Sequence, residues 1–331
     1  MDGSRILIGK SPAHVINRTL RLAGSPLLVA VGYYIGTRVG FLMTPSGEPN
    51  STFWPANAIL LAAFLLAPRR VWWTFVLAVL PAHMLAQVQS GVPVWTQLGW
   101  FISNSAEALI GAYCITRFSR EERRFETVRG VLVFILFGVL VSPFVTSFLD
   151  AAVVVVTGWG HSYWPLGAER FWTNALAELT VVPVVVLGGL NGIRWIRNVD
   201  SVHRREAVLL GTVTILAALC VFGFRSASAV TLPAVLYLPL PLLLWAAVRF
   251  RLGGLSLSVL CMALISMWYT MHGRLPFPYA SMRQNILSLQ VLFCVVGVPL
   301  MFLSALMDET QGVQESLQNV NAELIRQAAV I

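Results

Sequence analysis

The sequence predicts an all-α fold, a polytopic transmembrane helical bundle of about 8–10 spans followed by a cytoplasmic helix. Of its 331 residues, 57% are hydrophobic and only 11% are charged, whereas soluble domains carry about 25% charged residues. Long apolar runs recur between residues 26 and 306, and the sequence turns polar after that. We therefore expect lipid to cover much of the surface, because too few polar residues are present to face water.

Ten apolar runs are long enough, or nearly long enough, to span a bilayer. They are residues 26–43, 53–67, 71–88, 98–115, 130–156, 171–190, 207–224, 232–248, 254–271 and 286–306. Several runs are short, so one or two of them could be re-entrant. The fifth run contains Pro143 and is expected to kink there, because proline removes a helical N–H donor.

The basic residues predict the orientation of these spans. With the N-terminus inside, eighteen of the 23 basic residues fall on the cytoplasmic side. The other five are Arg38, Arg170, Arg225, Arg274 and Arg283. This bias predicts cytoplasmic termini and a basic cytoplasmic segment at residues 1–25. It also explains the net charge of +8 without nucleic-acid binding, which is not expected.

No catalytic motif, cofactor motif or metal-site motif is found in the sequence. The four cysteines lie inside apolar runs without CxxC spacing, which favours buried thiols over disulfides or zinc ligands. The five histidines lie in no His-Glu-x-x-His or phospho-acceptor context. We therefore expect neither a cofactor nor a bound metal, and no enzymatic activity in this chain.

Ionisable and amide side chains within the spans, together with Trp54 at the start of the second span, are the candidate ligand-binding residues. A charge near a helix centre costs about 2.5–3.5 kcal/mol to insert, so these groups should face the bundle interior and pair. The candidates are Arg38, Trp54, Asn57, His83, Asn104, Glu107, Asp150, Asn174, Glu178 and Gln290. They could form interhelical hydrogen bonds only, a polar pocket open to the periplasm, or a proton or solute pathway. Arg38 is the expected partner of Glu107.

Five fragments, in order, resemble the first type of MASE domain, a bacterial membrane-associated sensor. They are "FWPANAILLAAFLLAPRR", "NSAEALIGAY", "FWTNALAELTVVPVVV", "YLPLPLLLWAAVRFRLGG", and "HGRLPF" with "LSLQVLF". The resemblance covers roughly residues 26–306 and implies an integral membrane sensor domain there. Domains of this family lie at the N-terminus of histidine kinases, diguanylate cyclases and related signalling proteins.

The polar C-terminal segment, residues 307–331, predicts a coiled-coil-like linker to an output domain missing from this chain. Apolar residues follow steps of four and three at Val313, Leu317, Val320 and Leu324, a spacing typical of a dimer seam. A lone amphipathic helix at the membrane surface is the alternative, but its polar face is not basic, as such helices usually are.

The leading hypothesis is therefore the sensory input domain of a signalling protein. It would pass a periplasmic or membrane signal, from an unknown small molecule or protein, to a cytoplasmic output domain. The segment "LQNVNAELIRQ" favours a histidine kinase over a diguanylate cyclase as the full-length protein. Expected partners are the lipid bilayer and a second copy of the chain, joined through the C-terminal helix. A small-solute transporter is the alternative from another class, although no convincing internal repeat is found.

Overall fold

The structure, a computed structural model, describes residues 26–119, 125–192, 200–223, 235–277 and 280–328. Within these ranges the chain is helical and contains no strand. The nine helices are α1 (Pro26–Leu42), α2 (Pro55–Leu66), α3 (Trp72–Gln89), α4 (Val94–Phe118), α5 (Val128–Val156), α6 (Tyr163–Leu187), α7 (Ser201–Ala218), α8 (Leu240–Met271) and α9 (Met282–Ala328). The predicted all-α transmembrane bundle is confirmed.

Six helices of the described residues are long and apolar enough to cross a membrane, fewer than the ten predicted spans. They are α3, α5, α6, α7, α8 and α9. Helices α1 and α2 are apolar but shorter, and α4 has 25 residues but carries many polar ones, Glu107 among them. The predicted segment 1–25 lies outside the described residues.

Helix α2 lies at the centre of the bundle. Eleven of its 12 residues are buried, and α1, α3, α4 and α6 all pack against it. An α-helix of that length spans only about 18 Å, less than the ~30 Å of a bilayer core. Its apolar character on every side therefore reflects burial in protein. Pro55 begins the helix, and Ala67 ends it in an extended conformation, as a residue before proline prefers.

Small residues allow α1 to approach α2 closely. Gly32, Gly36 and Gly40 recur every four residues along α1, the spacing that lets membrane helices pack backbone to backbone. A Cβ added at Gly36 would lie 3.2 Å from the Ala56 backbone, and one added at Gly40 would lie 2.3 Å from Trp54 Cε3. These glycines therefore fix how near Trp54 lies to α1.

Two helices depart from regular α-helical geometry. In α5, a π-helical segment, Ile135–Val141, precedes Ser142 and Pro143, and the Ser142 hydroxyl donates to the Phe137 carbonyl at 2.8 Å. This arrangement accommodates the predicted proline disruption. In α8, Arg251 has φ 56° and ψ −156°, so the helix consists of segments 240–250 and 252–271. These correspond to the eighth and ninth predicted spans, although residues 232–234 lie outside the described residues.

Contacts between helix ends define two ends of the bundle. At one, which we call the basic end, Arg69 donates to Thr116 Oγ1 at 2.6 Å and Arg251 pairs with Asp308 at 3.1 Å. The other, which we call the opposite end, is formed by the connections 43–54, 90–93 and 157–162 and by the described residues of the last connection, 272–277 and 280–281. There Thr96 donates to Thr157 at 2.8 Å. Consecutive helices therefore alternate in direction from α1 to α6.

Candidate functional site

Glu107 is the centre of a buried polar cluster that joins four helices. Its Oε1 accepts from Asn57 Nδ2 at 3.0 Å. Its Oε2 accepts from Thr146 Oγ1 at 2.6 Å and from Asn174 Nδ2 at 2.8 Å. Each of these four side chains is at most 2% exposed. Glu107 therefore ties α4 to α2, α5 and α6 within the bundle, as expected for a polar group far from water.

A second set of hydrogen bonds links α1, α3 and α4. His83 Nδ1 lies 3.1 Å from the Tyr33 hydroxyl, and His83 Nε2 lies 3.0 Å from the Gln97 carbonyl. Asn104 Nδ2 donates to the same tyrosine oxygen at 3.4 Å. Asn104 and Glu107 are three residues apart, so they share one face of α4. That face therefore joins the two sets.

Two further carboxyl groups are buried beside Glu107 without direct partners. Asp150 on α5 and Glu178 on α6 are both fully buried. None of their oxygens has a hydrogen-bond partner within the described part of the chain. Asp150 interacts electrostatically with Arg170 and Glu107, and Glu178 with Glu107. The interior therefore contains four carboxyl oxygens that no donor of the described residues satisfies.

A cavity of about 330 Å³ opens at the opposite end of the bundle. Trp54, Trp100 and Trp159 contribute its aromatic wall, and Arg170 also lines it. Arg170 is only 5% exposed. Its Nε donates to Asn50 Oδ1 at 2.7 Å, and its guanidinium carbon lies 4.4 Å from the Trp100 ring centre. The cavity thus presents a positive charge beside aromatic rings.

The predicted partnership between Arg38 and Glu107 is wrong. Arg38 is half-buried, and its Nη1 donates to Ser90 Oγ at 3.3 Å at the end of α3. Glu107 interacts instead with two amides and a hydroxyl. The arginine that interacts electrostatically with the buried carboxyls is Arg170, which the sequence analysis had treated as a topology signal.

The remaining predicted residues fall in different places. Asn57, His83, Asn104, Glu107, Asp150, Asn174 and Glu178 are all buried inside the bundle. Trp54 lines the cavity. Gln290, on α9, donates to the Thr52 carbonyl at 2.9 Å and to Thr173 Oγ1 at 3.0 Å, so it connects α9 to the loop before α2 and to α6.

Sequence reasoning missed several residues of this region. They are Tyr33, Asn50, Trp100, Thr146, Glu169 and Arg170. One signal was available for Arg170: it precedes Asn174 and Glu178 by four and eight residues, so all three share a face of α6. Thr146 carried no such signal, because threonine in an apolar helix usually bonds its own backbone.

The described residues contain no group of three or more His, Cys, Asp or Glu side chains arranged to hold a metal ion. Both ring nitrogens of His83 are already occupied by protein contacts. The chemistry available at the opposite end is therefore binding through charge, hydrogen bonds and aromatic contact.

Comparison with family models decides the class of protein. The model of the MASE1 family matches residues 26–311. The chain belongs to the MASE1 family. MASE1 is a membrane sensory input domain of signalling proteins and is not itself catalytic. The comparisons with curated proteins and with solved structures gave no match. The MASE1 match covers α1 to α8 and the part of α9 up to residue 311, and α9 continues past it.

Proposed function

We propose that this MASE1 domain receives its signal at the opposite end of the bundle, on the periplasmic side of the bacterial inner membrane. It passes that signal through α9 to a cytoplasmic histidine kinase region. The observation that carries the proposal is the continuity of α9, which is one helix from Met282 to Ala328. A displacement at its first turns is therefore transmitted along one continuous helix that bends, if anywhere, at Pro299, as in other helix-shift switches.

A chain of polar contacts joins the cavity to the start of α9. Arg170 donates to Asn50, whose Nδ2 donates to Glu169 Oε2 at 2.8 Å. Glu169 forms an ion pair with Arg283, in the first turn of α9. Gln290 provides a second connection, through Thr173. A ligand that moves Arg170 would therefore shift the balance of contacts that hold α9.

The basic end provides the second contact point of α9 with the bundle. Asp308 pairs with Arg251, whose Nη2 donates to Gln311 Oε1 at 2.9 Å. Arg251 adopts a positive φ, a conformation that costs a non-glycine residue of order 1–3 kcal/mol. This junction lies where the apolar part of α9 ends. Making or breaking its contacts would therefore favour one of two positions of α9 relative to α8.

Residue exposure supports a homodimer formed through the end of α9. Val313, Leu317 and Val320 are 56%, 59% and 54% exposed in the single chain. Their steps of four and three match one seam of a coiled coil. The side chain of Leu324, the fourth predicted seam residue, lies outside the described residues. Covering this apolar stripe with a second copy removes it from water.

The distribution of arginines supports the orientation. The basic end holds Arg69, Arg117, Arg129, Arg204, Arg249 and Arg251, together with the contacts of α9 to Asp308 and Gln311. Because basic residues are retained on the cytoplasmic side, the basic end would be cytoplasmic and the cavity periplasmic. The same arrangement could transmit a signal to a diguanylate cyclase. We propose a histidine kinase because the linker contains the segment "LQNVNAELIRQ".

An insertion series tests the proposal. Residues 1–331 are fused to the dimerisation and catalytic regions of a histidine kinase, and autophosphorylation is measured in membrane vesicles. Four residues inserted after Gln311 should change the basal activity, because they rotate the Val313 seam relative to the membrane helices. Seven residues inserted at the same place restore the heptad register and are the matched control. Equal activity in the fusion without an insertion and in both insertion variants would contradict transmission through α9.

A further inference from the structure

The cavity at the opposite end contains a buried cation with free donors. Arg170 is only 5% exposed, and its Nε is satisfied by Asn50. That bond is the one side-chain hydrogen bond seen for Arg170 among the described residues, and neither Nη group is among the fully buried nitrogens without a partner, so both Nη groups reach accessible space. The nearby Asp150 interacts with it electrostatically but forms no ion pair with it. A buried guanidinium left in this state is costly, so the site is suited to an anion.

The cavity wall supplies aromatic contact beside Arg170. The indole rings of Trp54 and Trp100 are 4% and 3% exposed, and each Nε1 is buried without a hydrogen-bond partner. Trp159 is half-buried on the same wall. Indole rings offer a large flat surface with an N–H at one edge. The guanidinium of Arg170 and the aromatic surface of these indoles therefore occur together at one site.

We infer that this cavity binds a small organic anion that carries one carboxylate on an apolar or aromatic body. The fork of Arg170 matches the two oxygens of a carboxylate, and the indoles cover the body. This inference names the ligand class for the signal in the proposed function, and it rests on that function only for the ligand's role as a signal.

Size and charge narrow the ligand class. The volume of about 330 Å³ is at the lower limit of typical ligand pockets, about 300–1,000 Å³. The exposed Glu48 also lines the cavity and disfavours a second negative charge on the ligand. Aromatic walls can also hold cations, but Arg170 would repel a cation here. A monocarboxylate therefore fits better than a dianion or an ammonium compound.

Fluorine NMR on the purified chain in nanodiscs tests the inference. The probes are para-fluorobenzoate and its neutral counterpart para-fluorobenzamide. We expect saturable line broadening of the carboxylate at millimolar concentrations and none of the amide. This comparison uses the wild-type chain, so it does not depend on the folding of any variant. Equal behaviour of the two probes, or no binding of either, would overturn the inference.

A variant pair assigns the binding to Arg170. Arg170→Gln should weaken para-fluorobenzoate binding roughly ten- to a hundredfold, the range expected for a lost charge-assisted hydrogen bond. Arg274→Gln is the matched control, because Arg274 is exposed in the connection 272–281 at the same end and does not line the cavity. Unchanged affinity in a folded Arg170→Gln protein contradicts the site. Displacement of the probe by inorganic phosphate at equal concentration would assign the cavity to phosphate groups, including lipid headgroups, and would overturn the carboxylate class.

The NMR binding measurement and the insertion series test the two proposals independently. If the carboxylate binds through Arg170 while the insertion series has no effect, the site stands and the transmission proposed for α9 is wrong. If the insertions change phosphorylation as expected and no carboxylate binds, the sensory function stands and the ligand class is wrong.

Discussion

Replacement of Glu107 should separate a structural hydrogen-bond centre from a tolerated polar residue. Glu107→Leu leaves the amide donors of Asn57 and Asn174 without acceptors, whereas Thr146 can still donate to the Ser142 carbonyl at 3.0 Å. An unsatisfied buried donor costs about 1–3 kcal/mol, so the two amides predict a loss of about 2–6 kcal/mol. Glu107→Gln should cost under about 1 kcal/mol, because Asn57 can rotate its amide and present Oδ1, which has no partner within the described residues.

Thermal unfolding in detergent, followed by size-exclusion chromatography, measures this difference. An unfolding entropy of about 2.1 cal/mol/K per residue gives about 1.4 °C per kcal/mol for 331 residues, so Glu107→Leu should lower the unfolding midpoint by at least ~3 °C. Thr146→Val should lower it less, because it removes one donor to Glu107. Thr212→Val is the matched control, since that exposed hydroxyl bonds only the carbonyl of Val208 on its own helix. A Glu107→Leu protein with the wild-type midpoint would refute the reasoning.

Three further predictions concern packing, orientation and the dimer seam. Gly40→Ala should destabilise the fold by about 1–3 kcal/mol, because its Cβ would meet the Trp54 ring. Gly211 has open space around it, so Gly211→Ala should leave the unfolding midpoint in detergent unchanged or raise it. Leu317→Lys in the kinase fusion should abolish the signal response while membrane insertion persists, and an unchanged response would favour a monomeric surface helix. Reporter fusions should indicate the periplasm at each of the three turn glycines of the opposite end, and a cytoplasmic signal at two of them would contradict the orientation. Those glycines are Gly47, Gly91 and Gly158.

The sequence predicted the class of fold, and it predicted that the polar side chains within the spans face the interior of the bundle. Charged and amide groups such as Glu107 and Asn174 are too costly to leave in lipid, so their presence within apolar runs already indicates that they face protein. Helical spacing also predicted which of them share a face. The position of α2 was predicted as the second apolar run, 53–67, but that run was interpreted as a span, whereas the structure has a helix of 12 residues buried in protein.

The pairing of these groups could not be predicted, because it depends on which helices are neighbours. Arg38 and Arg170 both lie near the ends of apolar runs, and sequence alone offers no basis for choosing between them. In the structure α6 brings Arg170 close to Asp150, while Arg38 lies beside the end of α3. The cavity is likewise formed by loops and helix ends far apart in the chain, and so has no local sequence pattern.

The measurement that tests the central claim most directly is the effect of a bound carboxylate on output. The kinase fusion in membrane vesicles is assayed for autophosphorylation with and without para-fluorobenzoate, alongside its Arg170→Gln and Arg274→Gln variants. A change in phosphorylation in the wild type and in Arg274→Gln, absent in Arg170→Gln, is the predicted result. If the carboxylate saturates the cavity and phosphorylation does not change, the central claim is contradicted. That claim is that ligand binding at the opposite end of the bundle is transmitted to the part of α9 beyond the basic end.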